Sequence, residues 1–331
     1  MKSFRKMSCS IVIATCGRPE RLAIGLKAVE RAIRQAAGDY QIIVVDNGPE
    51  YPAEQVVAKF SRETGLIIYY MQSEVRNKSK ALNAGCRAAK SAWLAFTDDD
   101  TLPDSQWLRS AEDYAQTSGC DVFGGRISSG VVDKPLPKWF PPDMAHRLLW
   151  IGAFVDYAPL SANGFIDGRL VPFGANFFIK KDLLDRMGGY DEELWEVCGK
   201  AALGAEDAEL GMRIRRSGAR IGYCHEALVV HPIHHERIKI SILLKLAFYY
   251  GWRDPLVDVN PDSRMFRGYP RILLTHVWGV LVGCVRRDGA AMVESGLLAS
   301  RCAGTMCCLM SPSYRGWIRM KSRRDGARLP H

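Results

Sequence analysis

The sequence predicts an α/β fold: a mostly parallel sheet flanked by helices, followed by a helical C-terminal extension. Three observations predict it. Short apolar runs rich in β-branched residues alternate with stretches of helical spacing, giving β-α-β-α-β-α-β over the first hundred residues. Those runs are continuous rather than alternating, as strands covered on both faces require. Two of them end in acids, Asp46 and Asp98–Asp100, on the rim where open α/β sheets bind ligands. At 331 residues and 47% hydrophobic content, the chain has length for one large or two smaller domains and enough apolar residues for a full core.

Ser10–Ala14 (SIVIA) is the first strand and stops at Thr15-Cys16-Gly17-Arg18-Pro19. Leu22, Leu26, Val29 and Ile33 then recur at helical spacing. Gln41–Asp46 (QIIVVD) is the second strand, closed by the turn residues Asn47-Gly48-Pro49. A helical stretch near Ala53–Ser61 leads to a third strand at Leu66–Met71. Asn77–Lys90, rich in alanine, reads as a helix feeding the strand Trp93–Phe96. Right-handed crossovers between these parallel strands set Asp46 and Asp98–Asp100 on one rim. Pro103–Thr117 is expected as a helix with Trp107, Ala111 and Tyr114 on one face, and Asp121–Ser128 as a strand.

Composition changes at Val131–Phe165. Pro135, Pro137, Pro141, Pro142 and Pro159 exclude a long regular element there. Trp139, Phe140, Trp150, Phe154, Tyr157 and Phe165 give it more aromatic weight than a linker carries, so it reads as an insertion packed on the domain. Pro172–Lys180 ends like a strand, and Lys181–Met187 is a short helix stopped by Gly188-Gly189. Leu203–Gly218 opens with acids and closes with bases, the polarity a helix dipole favours. Arg220–Cys224 and Ala227–His231 read as two strands and Ile238–Tyr250 as an amphipathic helix. Pro270–Cys284 and Ala291–Leu309 read as apolar helices.

Several residues carry two readings. Asp98, Asp99 and Asp100 repel one another and need either open water, as a turn capping the next helix, or a hard divalent cation. Asp46 suits a cap on its Asn47-Gly48 turn or an acceptor for a ligand N–H. Glu206 and Asp207 suit a helix first turn on electrostatic grounds alone. Lys80 fits a solvated helix face equally well. His231-Pro232-Ile233-His234-His235 lacks the helical zinc spacing.

The net charge is +9, unevenly placed. Ser311–His331 holds Arg315, Arg319, Lys321, Arg323, Arg324 and Arg328 against Asp325 alone, interleaved with Trp317, Ile318 and Met320. Such a tail fits an anionic membrane surface or plain solvation. Its terminal clustering argues against a nucleic-acid face, so no nucleic acid is expected. Ten cysteines form no CxxC pair, which points to a reducing cytosol. Lys2, Arg5 and Lys6 precede the apolar stretch Cys9–Thr15, too short for a signal peptide. The longest uncharged apolar run, Ile272–Val285, falls short of the roughly 20 residues that span a bilayer, so no transmembrane helix is expected.

Five segments in order carry a resemblance: SIVIATCGRPERL, IIVVDNG, KSKALNAGCRAAKSAWLAFTDDD, VPFGANFFIKKDLLDRMGGYDE and GAEDAELGMRIRRSG. From about Ser10 to Asp254 the chain resembles a family 2 glycosyltransferase with a GT-A-type, Rossmann-like fold. The resemblance implies a transferase domain at residues 1–254, with 131–165 as its insertion and 255–331 as a helical, basic extension. It implies that Asp46 contacts the nucleotide base, accepting the imide N–H of a uridine donor, with Thr15 and Arg18 beside the same nucleotide. Lys80 and Asn83 shape the nucleotide pocket, and Gly174, Ala175 and Asn176 border the donor sugar. Asp98 takes the ribose side with help from Asp99, while Asp100, and in some members a histidine matched by His231, binds Mn2+ or Mg2+. Asp207, ahead of Glu206, matches the general base of inverting transfer.

The implied partners are a nucleotide-sugar donor, read as a UDP-sugar, and a glycan or lipid-linked acceptor in surface polysaccharide assembly. The Gln-x-x-Arg-Trp signature of processive synthases is missing, which implies transfer of one or a few sugars. The basic C-terminus suggests a cytoplasmic protein held peripherally on the inner membrane's cytoplasmic face. Two competing readings remain: a nucleotidyltransferase acting on a sugar phosphate, which would need a glycine-rich basic loop that Thr15–Pro19 matches poorly, and a catalytically silent glycan-binding or scaffold protein.

Overall fold

In the computed structural model the described residues are 6–129, 135–137, 139–140, 157–168, 170–198, 204–257 and 263–325. They fall into two compact units, one drawn from Met1–Val131, Asp156–Glu192 and Glu206–Pro232, the other from Val132–Val155, Glu193–Ala205 and Ile233–His331.

The first unit is an α/β unit built on a nine-stranded sheet. Its strands are β1 (Ser8–Thr15), β2 (Asp39–Asp46), β3 (Ile68–Gln72), β4 (Trp93–Phe96), β5 (Leu102–Pro103), β6 (Val122–Ser128), β7 (Gly164–Phe165), β8 (Phe177–Lys180) and β9 (Gly222–Val230). They run in the order β3-β2-β1-β4-β8-β6-β9-β5, with β7 also on β9. The first four pair in parallel, as the β-α repeat predicts, with Thr15 opposite Asp46 and Val12 opposite Phe96. The loops bearing the acids therefore leave the same rim. Beyond β4 the sheet is mixed: β8 is antiparallel to β4 and β6, while β6 and β9 are parallel.

Helices α1 (Pro19–Gln35), α2 (Ala53–Thr64) and α3 (Lys78–Ala88) cross between these strands. Pro19 starts α1, where its missing N–H costs nothing, and Leu22, Leu26 and Val29 are its buried stripe. Asn77 caps α3, its side chain accepting from the Lys80 N–H. The helix then lies close on the sheet, since a Cβ at Gly85 would come within 2.6 Å of Val12 Cγ1. An aromatic layer fills the centre, with Phe123 and Phe178 stacked at 4.8 Å and Trp107 tilted against Phe178.

Three differences from the expected elements bear on the sheet. Helix α4 is Trp107–Thr117 rather than Pro103–Thr117, because Leu102 and Pro103 pair with Val230 and Val229 as β5 and Asp104 caps the turn between. The two strands expected at Arg220–Cys224 and Ala227–His231 are one strand, β9. Its partners on β6 jump from Cys224 to Leu228 across Gly125 and Arg126. The Asn176 amide bridges that bulge, donating to the carbonyls of Arg126 and Ala227 at 2.8 Å each. The third strand begins two residues later than Leu66, at Ile68. Helices α5 (Lys181–Arg186) and α7 (Ala205–Arg216) lie within their expected stretches.

The second unit is helical: α6 (Glu193–Cys198), α8 (Ile240–Val257), α9 (Ser263–Arg286), α10 (Gly289–Met310) and α11 (Pro312–Asp325). Part of the expected basic tail is thus a helix, α11, whose Trp317 and Tyr314 are buried with Leu194, Leu256 and Cys308. Arg328 lies outside the described residues. So do Pro141, Pro142, Trp150 and Phe154 of the expected insertion, while Phe140 packs with Ile233, Ile238 and Leu243. Gly268–Arg286 is long and apolar enough to cross a membrane by length and composition alone, a longer stretch than the uncharged run Ile272–Val285 read from the sequence. Arg271 ends the uncharged run in the sequence without ending the helix.

Candidate active site

The acid loop leaves β4 in a turn tied by Thr101, whose hydroxyl donates to the Asp98 carbonyl at 2.7 Å. Thr97 donates to the Ala175 carbonyl at 3.1 Å and so fastens that turn to the Gly174–Asn176 segment. The three carboxylates meet cations as well as each other. Asp99 accepts from Thr15 Oγ1 at 2.7 Å and pairs with Arg18 at 2.5 Å. Asp100 Oδ2 takes Arg18 Nη1 at 2.7 Å, and Asp98 Oδ1 takes Lys78 Nζ at 3.0 Å. Burial pushes the Asp99 carboxyl up to about 6 even with Arg18 beside it. Burial opposes ionisation of Asp98 too, but the Lys78 ammonium outweighs it and holds that carboxyl below its ordinary range.

Asp98, Asp100 and His231 each offer one ligand atom, all within 4.8 Å of one another. His231 Nε2 lies 3.9 Å from Asp100 Oδ1, beyond hydrogen-bond length. Two carboxylate oxygens and one imidazole nitrogen fit Mn2+ or Mg2+ as a donor set. The sequence places Asp98 on the ribose side; in the structure it shares a cluster with the two residues expected to bind the metal.

Glu206 and Asp207 open α7. Lys78 reaches Glu206 Oε1 at 3.2 Å while holding Asp98, so one ammonium joins the acid loop to this first turn. Asp207 Oδ2 accepts the Gly174 N–H at 2.9 Å. Its other oxygen, Oδ1, is buried with no hydrogen-bond donor among the described residues. Burial lifts the Asp207 carboxyl to about 7 against the pull of Lys78, and Glu206 and Asp98 add to the rise. A side chain at position 174 would strike both carboxylate oxygens of Asp207, so glycine is what allows the contact.

Other expected site residues hold the surrounding fold. Asp46 is fully buried; Oδ1 accepts the Gly48 N–H at 2.9 Å, and Oδ2 takes the Ala53 N–H at 3.0 Å and the Tyr70 hydroxyl at 3.2 Å. Asn83 exchanges hydrogen bonds with Tyr190, accepting its N–H at 2.8 Å and donating to its carbonyl at 2.9 Å. Asn176 accepts from Trp107 Nε1 at 2.8 Å besides bridging the β9 bulge. Lys80 is half-buried on α3. Lys78, which the sequence reading passed over, makes the central contact. Its signal was its place at the first position after the Asn77 cap.

Comparison with known proteins gives the family. The family described as glycosyl transferase family 2 matches residues 10–182. The chain is 22% identical over 242 residues to "Glycosyltransferase AglE" of Haloferax volcanii, covering 73% of this chain and 71% of that one. It is 22% identical over 258 residues to "Glucosyl-dolichyl phosphate glucuronosyltransferase" of the same organism, covering 76% and 78%. Among solved structures, "Mannosyltransferase PcManGT from Pyrobaculum calidifontis in complex with GDP-Man and Mn2+" superposes with a TM-score of 0.51 at 14% identity, covering 98% of this chain and 82% of that one. That likeness is one of fold, the GT-A type. With the family match covering more than half its length, the chain belongs to glycosyl transferase family 2 and is a glycosyltransferase.

Proposed function

We propose that the chain is an inverting, metal-dependent transferase moving a sugar from a nucleotide donor to a glycan or lipid-linked acceptor in surface polysaccharide or glycoconjugate assembly. The supporting observation is a pair of differently tuned carboxylates, Asp98 and Asp207, beside Lys78, whose ammonium bonds Asp98 and Glu206, the neighbour of Asp207. Asp98 is held ionised in a metal-ligand cluster, and Asp207 is raised to about 7, near the working pH of a general base. Asp100, His231 and Asp98 would hold Mn2+ or Mg2+, and the bound ion supplies neutralisation for the charge of the leaving diphosphate. Asp207 takes the acceptor hydroxyl's proton at Oδ1, while the Gly174 N–H fixes Oδ2 and with it the direction of Oδ1. Glu206 and Lys78 keep that helix turn in register with the acid loop. Thr15, Arg18 and Asp99 line the nucleotide side, Lys80 and Asn83 shape its pocket, and Gly174, Ala175 and Asn176 border the donor sugar.

The proposed transferase domain is 1–254 with the insertion 131–165, a span that takes in residues 132–155, 193–205 and 233–254 of the helical unit, and the extension 255–331 attaches the protein peripherally to the cytoplasmic face of a membrane. A relative named for a dolichyl phosphate substrate supports the lipid-linked acceptor. The uridine reading rests on Asp46, whose oxygens already serve its own turn, and the PcManGT complex carries a guanosine donor on the same fold. The donor base is therefore the first point to test. Thermal shifts are measured with UDP, GDP, dTDP, CDP and CMP, each with and without Mn2+. The expected outcome is a Mn2+-dependent rise with UDP that vanishes in Asp100→Ala. A Mn2+-dependent rise with GDP instead would keep the transferase and overturn the uridine donor. Folded protein that shifts with no nucleotide would favour a silent scaffold.

A further inference from the structure

Helix α9 carries an apolar stripe that no described residue covers. Leu274 is 69% exposed, Trp278 66% and Val285 85%, with Val277 and Leu281 between them. At these spacings the five residues share one helix face, about 100° wide. The opposite face is packed against α10. A Cβ at Gly279 would lie 2.6 Å from Ser295 Oγ, and one at Gly283 would lie 2.8 Å from Met292 Cγ. The helix is thus two-sided, with small residues against its neighbour and large apolar ones facing out. Only 6% of its most apolar window is buried.

We propose that this stripe lies flat in the interface of an anionic lipid bilayer. Charge complementarity selects that occupant. Residues 263–325 contain eleven Lys and Arg against three Asp and Glu, so this segment holds +8 of the chain's +9. Arg271 at one end of the stripe and Arg286 and Arg287 at the other are exposed, and the stripe between carries no charge. Cations flanking an apolar face, with a tryptophan midway along it, match the headgroup boundary of a bilayer. Spanning the bilayer is disfavoured, because α10 would be drawn in with its Glu294 and with Arg301, which pairs with Asp254 at 2.7 Å. A second copy of this chain is a poorer occupant, since two-fold pairing of the stripes would bring their flanking arginines together. The inference deepens the peripheral attachment proposed for 255–331 by naming the face and the lipid charge, and it does not rest on the transferase chemistry.

The test is co-sedimentation of the full chain with vesicles of phosphatidylcholine alone or mixed equally with phosphatidylglycerol. The expected result is binding to the anionic vesicles only, weakened by salt and lowered at least tenfold in Trp278→Glu and in Leu274→Glu. Both substitutions fall on exposed positions, so melting temperature and the nucleotide shift should stay at wild-type values. Binding that persists in both folded variants overturns the proposal, as does a wild-type chain that binds neither vesicle. Light scattering that reports a dimer, broken by Trp278→Glu, in a chain that ignores vesicles would assign the stripe to self-association instead.

Discussion

Among single residues, Asp207 carries the sharpest expectations. Asp207→Asn keeps an acceptor for the Gly174 N–H but cannot take a proton, so kcat should fall by about two to four orders of magnitude. The metal-dependent nucleotide shift should survive. For the wild type, kcat/KM should rise with pH through about 7 as this carboxyl ionises. The stability sign is opposite. A carboxyl whose folded pKa lies above its unfolded value holds its proton more tightly in the fold. Its stabilising contribution is therefore present in acid and lost as pH rises through about 7. Asp207→Asn should then melt no lower than wild type at about pH 8, and its relative stability should improve between acid and neutral pH; a melting curve for each checks this. Gly174→Ala pushes a methyl into the same carboxylate and should lower kcat by about tenfold or more through misalignment, in a protein that still binds nucleotide. Much of this was legible beforehand. Adjacent acids after a buried strand marked the acid loop, while Asp207 was singled out only by the family resemblance, since the residues alone fit a helix first turn. Lys78 was not, because Lys80 two residues on has equal claim as a side chain; only the start of the helix at Lys78 separates them.

At the scale of elements, the loop between β3 and α3 sets the site. Asn77 caps α3 and also donates to the Glu192 carbonyl at 2.9 Å, so it fixes both the first turn and its neighbour. Asn77→Ala should cost about 1 kcal/mol from the lost cap, with some addition from the second bond. Because Lys78 follows directly, the donor KM should rise more than kcat falls, and steady-state kinetics would separate the two. The strands β1 to β4 could be read from the chain because each is a continuous apolar run that nothing else resembles. β9 could not be read as one strand, since the polar pair His225 and Glu226 breaks the apolar pattern where the bulge sits. The extension holding α11 was expected to be helical, but the burial of Trp317 was hidden by the cations around it: a segment this basic reads as solvated or lipid-facing until its tryptophan is seen packed.

Over the whole molecule, chemistry and net charge belong to different parts of the chain. The carboxylate rim lies in the sheet unit, while the residues carrying +8 lie in the helical one. The two should therefore separate in experiment. Trp278→Glu should lower vesicle sedimentation at least tenfold with the nucleotide shift intact, and Asp100→Ala should remove the shift with sedimentation intact. The apolar face of α9 escaped the sequence because a count that stops at Arg271 measures a run of residues, whereas a face is read around the helix. The contact between Gly174 and Asp207 has a further bearing on how such a chain changes over time. The donor there is a peptide N–H, which every residue except proline supplies, so ordinary substitution cannot delete the bond itself. What holds the acid in aim is the path of the chain and the absence of a side chain at one position. The surrounding walls are thus at liberty to drift while the carboxylate oxygens of Asp207 stay where they were.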